Sequence, residues 1–116
     1  MSDDCIFRKI AQKEISSDFI YEDETVVVFK DLEPQAPVHV LVIPKKHITS
    51  LMAVEVDDKE LVAHITCEVI PKLARKLGID ETGFRVVVNT GCDGGQTVKH
   101  LHFHLLGGRS MIWPPG

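Results

Sequence analysis

The sequence predicts a single domain of mixed α and β structure spanning residues 1–116. Short β-branched and aromatic runs, such as Thr25–Lys30 and Phe84–Asn89, are typical of strands. One longer stretch, Asp57–Leu77, repeats apolar residues at the spacing of an amphipathic helix. A length of 116 residues allows one hydrophobic core and is too short for two domains.

Composition and charge exclude several classes of protein. A formal net charge of −4 argues against a nucleic-acid surface, which requires a basic stripe. The three cysteines have wide spacing and form no disulfide framework, which suits a reducing compartment. No signal peptide opens the chain, and no apolar run exceeds four residues, so nothing is expected to span a membrane. We therefore expect a cytoplasmic protein.

The N-terminal third predicts a short helix followed by strands. Apolar residues at helical spacing indicate a helix within Cys5–Lys13. Phe19–Glu22 and Thr25–Lys30 read as strands, and the two prolines of Asp31–Pro37 place that segment in a loop. Val38–Ile43 is apolar on both faces, except for His39, and is expected to be buried on both sides.

His39 is therefore expected to be a buried polar side chain that needs partners. A single core histidine is usually only hydrogen-bonded, but this chain also carries a histidine cluster. The sequence leaves both interpretations of His39 open.

The long helix is expected to begin at Asp57, with Glu60 completing a capping box, and to end at Gly78. Pro71 lies inside the periodic stretch and should kink or split the helix. The apolar stripe belongs to the core.

A glycine-rich loop, Asn89–Thr97, follows the strand Phe84–Asn89. Glycines allow backbone N–H groups to approach an anion closely. The loop ends three residues before His100, so its amides are expected near the same ligand as the histidines.

The stretch His100–Leu106 carries the main chemical signal, because three of the six histidines alternate there with apolar residues. In a strand this alternation places His100, His102 and His104 on one face, with successive imidazoles about 6.6 Å apart. Leu101, Phe103 and Leu105 then point into the core.

Clustered imidazoles allow two chemistries. Three histidines can hold a catalytic metal that keeps an open position. Alternatively, the middle imidazole attacks phosphorus while its neighbours hold the non-bridging oxygens. The adjacent loop with Asn89, Gln96 and Thr97 favours phosphoryl chemistry, and the lack of a carboxylate close in sequence disfavours a metal.

The stretch His100–Leu106 resembles the His-φ-His-φ-His-φ-φ signature of the histidine triad (HIT) superfamily. Further matches in order resemble its Hint branch, the histidine triad nucleotide-binding proteins: Phe29–Leu32, Pro34–His39, Leu41–His47, Asp93–Thr97 and the ending Trp113–Gly116. The resemblance implies an α+β fold with a central antiparallel sheet, one long helix and a short N-terminal helix. It also implies a homodimer in which two protomers form a continuous structure.

The implied activity is hydrolysis of the P–N bond in purine nucleoside 5′-phosphoramidates, such as AMP linked to an amine, or of aminoacyl-adenylates. By position, His102 is the implied nucleophile, His100 and His39 support it, and His104 contacts phosphate oxygens. Asp31 is implied to hold the ribose, and Trp113 to reach toward the partner's site. The residues implied around the base are Phe7, Ile10, Ile15, Phe29 and Leu32, and those around the phosphate are Asn89, Gly95, Gln96 and Thr97.

The chain departs from the family at three places. Thr97 stands where many relatives have serine, and Ile112 where some have histidine, which leaves the leaving group open. Some HIT proteins bind a structural zinc through Cys-x-x-Cys and histidines; here Cys5 is present but Arg8 takes the second position, so we expect no zinc and no cofactor. Whether Cys5, His47 and His100 retain a weak metal site stays open.

Three alternative functions also stay open at this point. The chain could be a nucleotide-binding regulatory module with incidental hydrolysis, a dinucleoside polyphosphate hydrolase, or a zinc enzyme or cupin-like metal protein. The preference for adenine over guanine and the identity of protein partners are not readable from the sequence.

Overall fold

A computed structural model describes residues 5–13 and 18–116. Its centre is a five-stranded antiparallel sheet with the strand order β1-β2-β3-β5-β4. The strands are β1 (Phe19–Glu22), β2 (Val26–Lys30), β3 (Val38–Pro44), β4 (Phe84–Val87) and β5 (Phe103–Gly107). The antiparallel α+β architecture expected from the sequence is confirmed.

Helices cover both faces of this sheet. The short N-terminal helix α1 (Ile6–Ala11) lies on one face. A long helical stretch lies on the other, formed by 3-10 turns at Leu51–Ala53 and Val56–Asp58, α2 (Lys59–His64), a π-helical segment (Ile65–Val69) and α3 (Ile70–Lys76). Within the described ranges, no helix has both the length and the apolar character needed to cross a membrane.

The predicted capping box of the long helix is wrong by two residues. The capping interaction joins Glu55 and Asp58, whose Oδ2 accepts the Glu55 N–H at 3.0 Å. Asp58 is buried, and its other oxygen accepts from the Lys46 ammonium, so it is fixed where it can reach that amide. The predicted pair, Asp57 and Glu60, is exposed and does not form the capping box.

The predicted interruption at Pro71 is confirmed. Pro71 lies in the first turn of α3, directly after the π-helical segment. Because proline has no N–H, it cannot complete the regular hydrogen-bond ladder with the preceding turn. The helix absorbs this missing bond by widening over Ile65–Val69 and ends, as expected, before Gly78, which has φ +74°.

Strand β3 is buried on both faces, as its lack of polar alternation predicted. Val40 and Val42 pack under the long helical stretch, whereas Leu41 and Ile43 pack under α1. His39 shares the α1 face with Leu41, because side chains two apart on a strand point the same way. The sheet therefore separates a large apolar core from a second layer that contains histidines.

Strand β5 is shorter than the sequence predicted. It begins at Phe103, so only His104 of the three histidines lies in the ladder. The last pair with β3 joins Val42 to Phe103. Beyond it Pro44 has no N–H to donate, and its carbonyl accepts from the His100 ring at 2.8 Å, which ends the ladder. Leu101, Phe103 and Leu105 are buried in the main core, as expected.

His64 ties the long helical stretch to the turn between β1 and β2. Its Nε2 lies 2.7 Å from Asp23 Oδ2 and its Nδ1 lies 2.6 Å from Glu68 Oε1, so both ring nitrogens donate to carboxylates. The hydrogen bond to Asp23, followed by that to Glu68, raises the pKa of His64. Folding therefore favours the imidazolium.

We expect His64→Gln to lower the free energy of unfolding more in acid than in alkali. A raised folded-state pKa gives stability that is fully present below the unfolded pKa of about 6.5 and is lost as pH rises through the folded pKa. Urea unfolding at about pH 6 and about pH 9 measures the difference between variant and wild type. An equal difference at both pH values would show that the charge on His64 does not contribute.

Candidate active site

His102 lies on the α1 side of the sheet, where its ring is almost fully buried. The Phe7 ring meets it edge-on, with centroids 4.9 Å apart, and the His104 ring lies at 5.1 Å. Nδ1 of His102 lies 2.6 Å from the His100 carbonyl oxygen, which only accepts, so Nδ1 carries the proton. Burial lowers the pKa of His102 and keeps the ring neutral. Its Nε2 therefore presents a lone pair.

His39 and His104 form a second pair with defined tautomers. The Gln35 backbone N–H donates to His39 Nδ1 at 3.0 Å, so the His39 proton is on Nε2. That Nε2 lies 2.9 Å from His104 Nδ1, which must accept. Burial lowers the pKa of His104 and keeps it neutral. The proton of His104 is consequently on Nε2.

Asp31 stands beside this pair. Its Oδ2 lies 3.4 Å from His39 Nε2 and 4.0 Å from His104 Nδ1. Its Oδ1 accepts the Glu33 N–H at 2.8 Å, and its own N–H donates to the His39 carbonyl at 3.0 Å. A carboxylate thus lies next to the histidines although it is distant from His104 in sequence. His39 joins the cluster, which resolves the interpretation that the sequence had left open.

The His100 ring points away from the other two, into a separate cluster with Cys5 and His47. Its Nε2 donates to the Pro44 carbonyl, and its Nδ1 lies 3.0 Å from His47 Nδ1 and 3.5 Å from Cys5 Sγ. Burial lowers the pKa of His100 to about 4. The expectation that all three imidazoles share one face is therefore wrong: His100 supports His102 through its backbone carbonyl.

Cys5, His47 and His100 do not complete a structural zinc site. Their ligand atoms lie within 4.8 Å of one another, and thiolate and imidazole are ligands that zinc prefers. A closed zinc site needs four protein ligands, and the described residues supply three here. In the sequence Arg8 takes the second position of the Cys-x-x-Cys pattern. Burial, followed by the charge of Arg8, lowers the pKa of His47.

Asp31, His39 and His104 also lie close enough for a metal. A metal bound to His39 Nε2 would force the proton onto Nδ1, where it would face the Gln35 N–H. Two donors would then oppose each other, so this group does not fit a metal while the Gln35 hydrogen bond is intact.

The glycine-rich loop is held closed by the side chain of Gln96. Its Oε1 accepts the Gly91 N–H at 3.0 Å, and its Nε2 donates to the carbonyls of Thr49 and Val98 at 2.7 and 3.0 Å. The Gly95 and Gln96 amides donate within the loop, to Cys92 and Gly91. The Gln96 side chain thus braces the loop between neighbouring segments.

We expect Gly94→Ala to impair this loop without unfolding the protein. A Cβ at Gly94 would lie 2.2 Å from the Thr90 carbonyl oxygen, so the backbone must shift. If the loop lines the phosphate site, kcat/KM should fall roughly tenfold while the melting temperature changes little, because the loop is exposed. Asp93→Ala, at an exposed neighbouring position, is the control. If Gly94→Ala keeps the same kcat/KM as Asp93→Ala and wild type, the loop does not line the phosphate site.

The other residues implied for nucleotide binding lie in different parts of the structure. Phe7, Phe29 and Ile10 pack together on the α1 face, with the two phenylalanine rings 5.9 Å apart. Leu32 and Trp113 are 96% and 82% exposed. Ile15 lies outside the described residues. The polar residues implied at the phosphate, Asn89 and Thr97, flank the glycine-rich loop.

Comparison with known proteins agrees with this geometry. The HIT domain model matches residues 12–111. The chain is 51% identical to an uncharacterized HIT-like protein of Synechococcus elongatus, over 100% of both chains. A HIT family hydrolase from Legionella pneumophila superposes with a TM-score of 0.94 at 50% identity, covering 97% of this chain and 100% of that one. A histidine triad nucleotide-binding protein from Candida albicans gives 0.78 at 35% identity, with coverages of 95% and 82%. The chain therefore belongs to the HIT domain family.

Proposed function

We propose that the protein hydrolyses purine nucleoside 5′-phosphoramidates, as a member of the Hint branch, with His102 as the nucleophile. The observation that carries the proposal is the tautomer of His102: its Nδ1–H is held by the His100 carbonyl at 2.6 Å, so the Nε2 lone pair is available. A neutral, oriented imidazole is an effective nucleophile toward phosphorus. The active unit is the single domain of residues 1–116, acting in the cytoplasm.

The proposed reaction has two steps. Nε2 of His102 attacks phosphorus, and the N–P bond to the ring forms as the P–N bond to the amine breaks. The departing amine takes up a proton from water. Water then attacks the nucleotidyl-histidine, the bond to the ring breaks, and AMP is released. The Nε2–H of His104 donates to a non-bridging oxygen, which places a hydrogen-bond donor where negative charge accumulates. His39 holds His104 in that tautomer.

The residues proposed to recognise the nucleoside lie on the α1 side of the sheet, as His102 does. Asp31 offers a carboxylate that suits the two hydroxyls of a ribose, and the aromatic and apolar side chains of Phe7, Ile10 and Phe29 form a wall that suits a purine. Ile15 and Leu32 are proposed to extend this wall. Asn89, Gly95, Gln96 and Thr97 are proposed around the phosphate. The similarity to a protein described as nucleotide-binding supports this assignment.

The test is release of AMP from adenosine 5′-phosphoramidate by wild-type protein in excess chelator, compared with release from a diadenosine polyphosphate. Rapid, chelator-resistant cleavage of the phosphoramidate is expected. Preferential cleavage of the dinucleotide would point to a polyphosphate hydrolase. Activity that disappears with chelator would overturn the metal-free mechanism, and tight AMP binding without turnover would indicate a binding module.

We further propose that the active form is a homodimer. Strand β4 lies at the edge of the sheet and exposes Phe84 and Val86, which are 41% and 39% exposed, while Trp113 projects from the C-terminal tail. An apolar edge strand favours pairing with another chain. Light scattering coupled to size exclusion should give twice the mass of 12.9 kDa. A monomer at micromolar concentration would contradict this part of the proposal.

A further inference from the structure

The side chain of Arg109 joins the C-terminal segment to the loop before β3. Arg109 Nε donates to the Gln35 carbonyl at 3.0 Å, and its Nη1 donates to the Ser110 carbonyl at 2.9 Å. The guanidinium therefore connects residues that are 74 positions apart in the sequence. Its partner Gln35 lies between two prolines, at positions 34 and 37, where the chain has few alternative conformations.

Gln35 also contacts the histidines through its backbone. Its N–H donates to His39 Nδ1, and His39 in turn donates to His104 Nδ1. Each hydrogen bond fixes the next, since a ring nitrogen that accepts cannot also carry the proton. Asp31 Oδ2, at 3.4 Å from His39 Nε2, favours the same tautomer of His39. The Gln35 N–H is the group that keeps a proton off His39 Nδ1, and the Asp31 carboxylate supports the same tautomer.

We propose that Arg109 and Gln35 are positioning residues for the reaction: Arg109 holds the Gln35 carbonyl and so restrains the backbone of this residue, whose N–H places the proton of His104 on Nε2. This inference rests on the proposed function, because it assigns His104 Nε2–H to a phosphate oxygen. Neither residue needs to touch the substrate.

Loss of the Gln35 N–H would reverse the order of donors and acceptors in the hydrogen bonds that run from Gln35 through His39 to His104. His39 could then carry its proton on Nδ1 and turn a lone pair toward His104. His104 would have to protonate Nδ1 to avoid facing that lone pair, which would leave its Nε2 with a lone pair directed at an anionic oxygen. Binding of the purine and ribose would change little, whereas the step in which charge develops on phosphorus would slow.

Two pairs of variants isolate these contacts. Gln35→Pro removes the N–H, and Gln35→Ala keeps it as the matched control. Arg109→Ala removes the guanidinium, and Arg109→Lys retains a donor in its place. We expect kcat to fall roughly tenfold to a hundredfold in Gln35→Pro and less in Arg109→Ala, with KM within about twofold of wild type and partial recovery in Arg109→Lys.

Long-range ¹H–¹⁵N NMR of the imidazoles gives a readout that is independent of turnover. Wild type and Gln35→Ala should show His39 and His104 as the Nε2–H tautomers, and Gln35→Pro should shift both toward Nδ1–H. Unchanged tautomers in Gln35→Pro and Arg109→Ala would overturn the inference. If Gln35→Pro does not fold, Arg109→Ala decides alone. If wild type lacks phosphoramidase activity, the proposed function is wrong. The NMR tautomers of His39 and His104 would still test whether Gln35 and Arg109 fix the hydrogen bonds between these rings.

Discussion

Replacement of His102 by alanine is expected to lower kcat for AMP release on the order of 10⁴-fold, because no other described group offers a lone pair oriented by the His100 carbonyl. The residual rate would come from substrate positioning alone. Quenched-flow detection of AMP from adenosine 5′-phosphoramidate measures the effect. In wild type the same experiment should trap a nucleotidyl-protein that is acid-labile, as expected for a bond to histidine.

His64→Gln is the matched control, since it removes a histidine bonded to Asp23 and Glu68, away from the site. Its kcat should equal that of wild type. AMP affinity of the His102→Ala variant, measured by calorimetry, should stay within about tenfold of wild type, which separates chemistry from binding. Substantial turnover by His102→Ala would remove His102 as the nucleophile.

Replacement of Leu105 by alanine is expected to have the largest effect on stability. Leu105 is fully buried in the core between the sheet and the long helical stretch. Truncation loses the transfer free energy of the removed methyl groups and leaves a cavity, so the free energy of unfolding should fall by about 2 to 5 kcal/mol. Urea denaturation followed by circular dichroism measures this difference.

The same substitution at an exposed site provides the control. Leu32 is 96% exposed, and Leu32→Ala should change the free energy of unfolding by less than about 0.5 kcal/mol. A small effect of Leu105→Ala would mean that the core relaxes around the missing side chain. Neither result bears on the chemistry proposed for His102.

Much of the fold could be predicted from the sequence, because the patterns that specify its strands and helix ends lie within short segments. The apolar run of β3 predicted burial on both faces, and the structure places a helical layer on each side of it. The positions of Pro71 and Gly78 predicted an interruption and an end to the long helix for steric reasons. The start of that helix was predicted incorrectly. Asp58 takes part in the capping interaction because it is held by Lys46, and this contact has no local sequence pattern.

The site was readable only in part. The alternation of His100, His102 and His104 indicated a histidine site, and the predicted burial of His39 left open whether it joins that site. The separation of the His100 ring from the others depends on the end of the ladder at Pro44, which is a tertiary event. Arg109 gave no signal, because an exposed arginine after two glycines has no distinctive pattern.

The hydrogen bond from Gln35 to His39 has a consequence for substitution tolerance. The donor is a backbone N–H, which nineteen of the twenty amino acids possess, so in the proposed arrangement substitutions at position 35 other than proline keep the donor to His39. Proline alone would remove the donor. A position can therefore govern acid–base chemistry and still accept almost any residue, and such positions escape any search that ranks residues by the identity of their side chains.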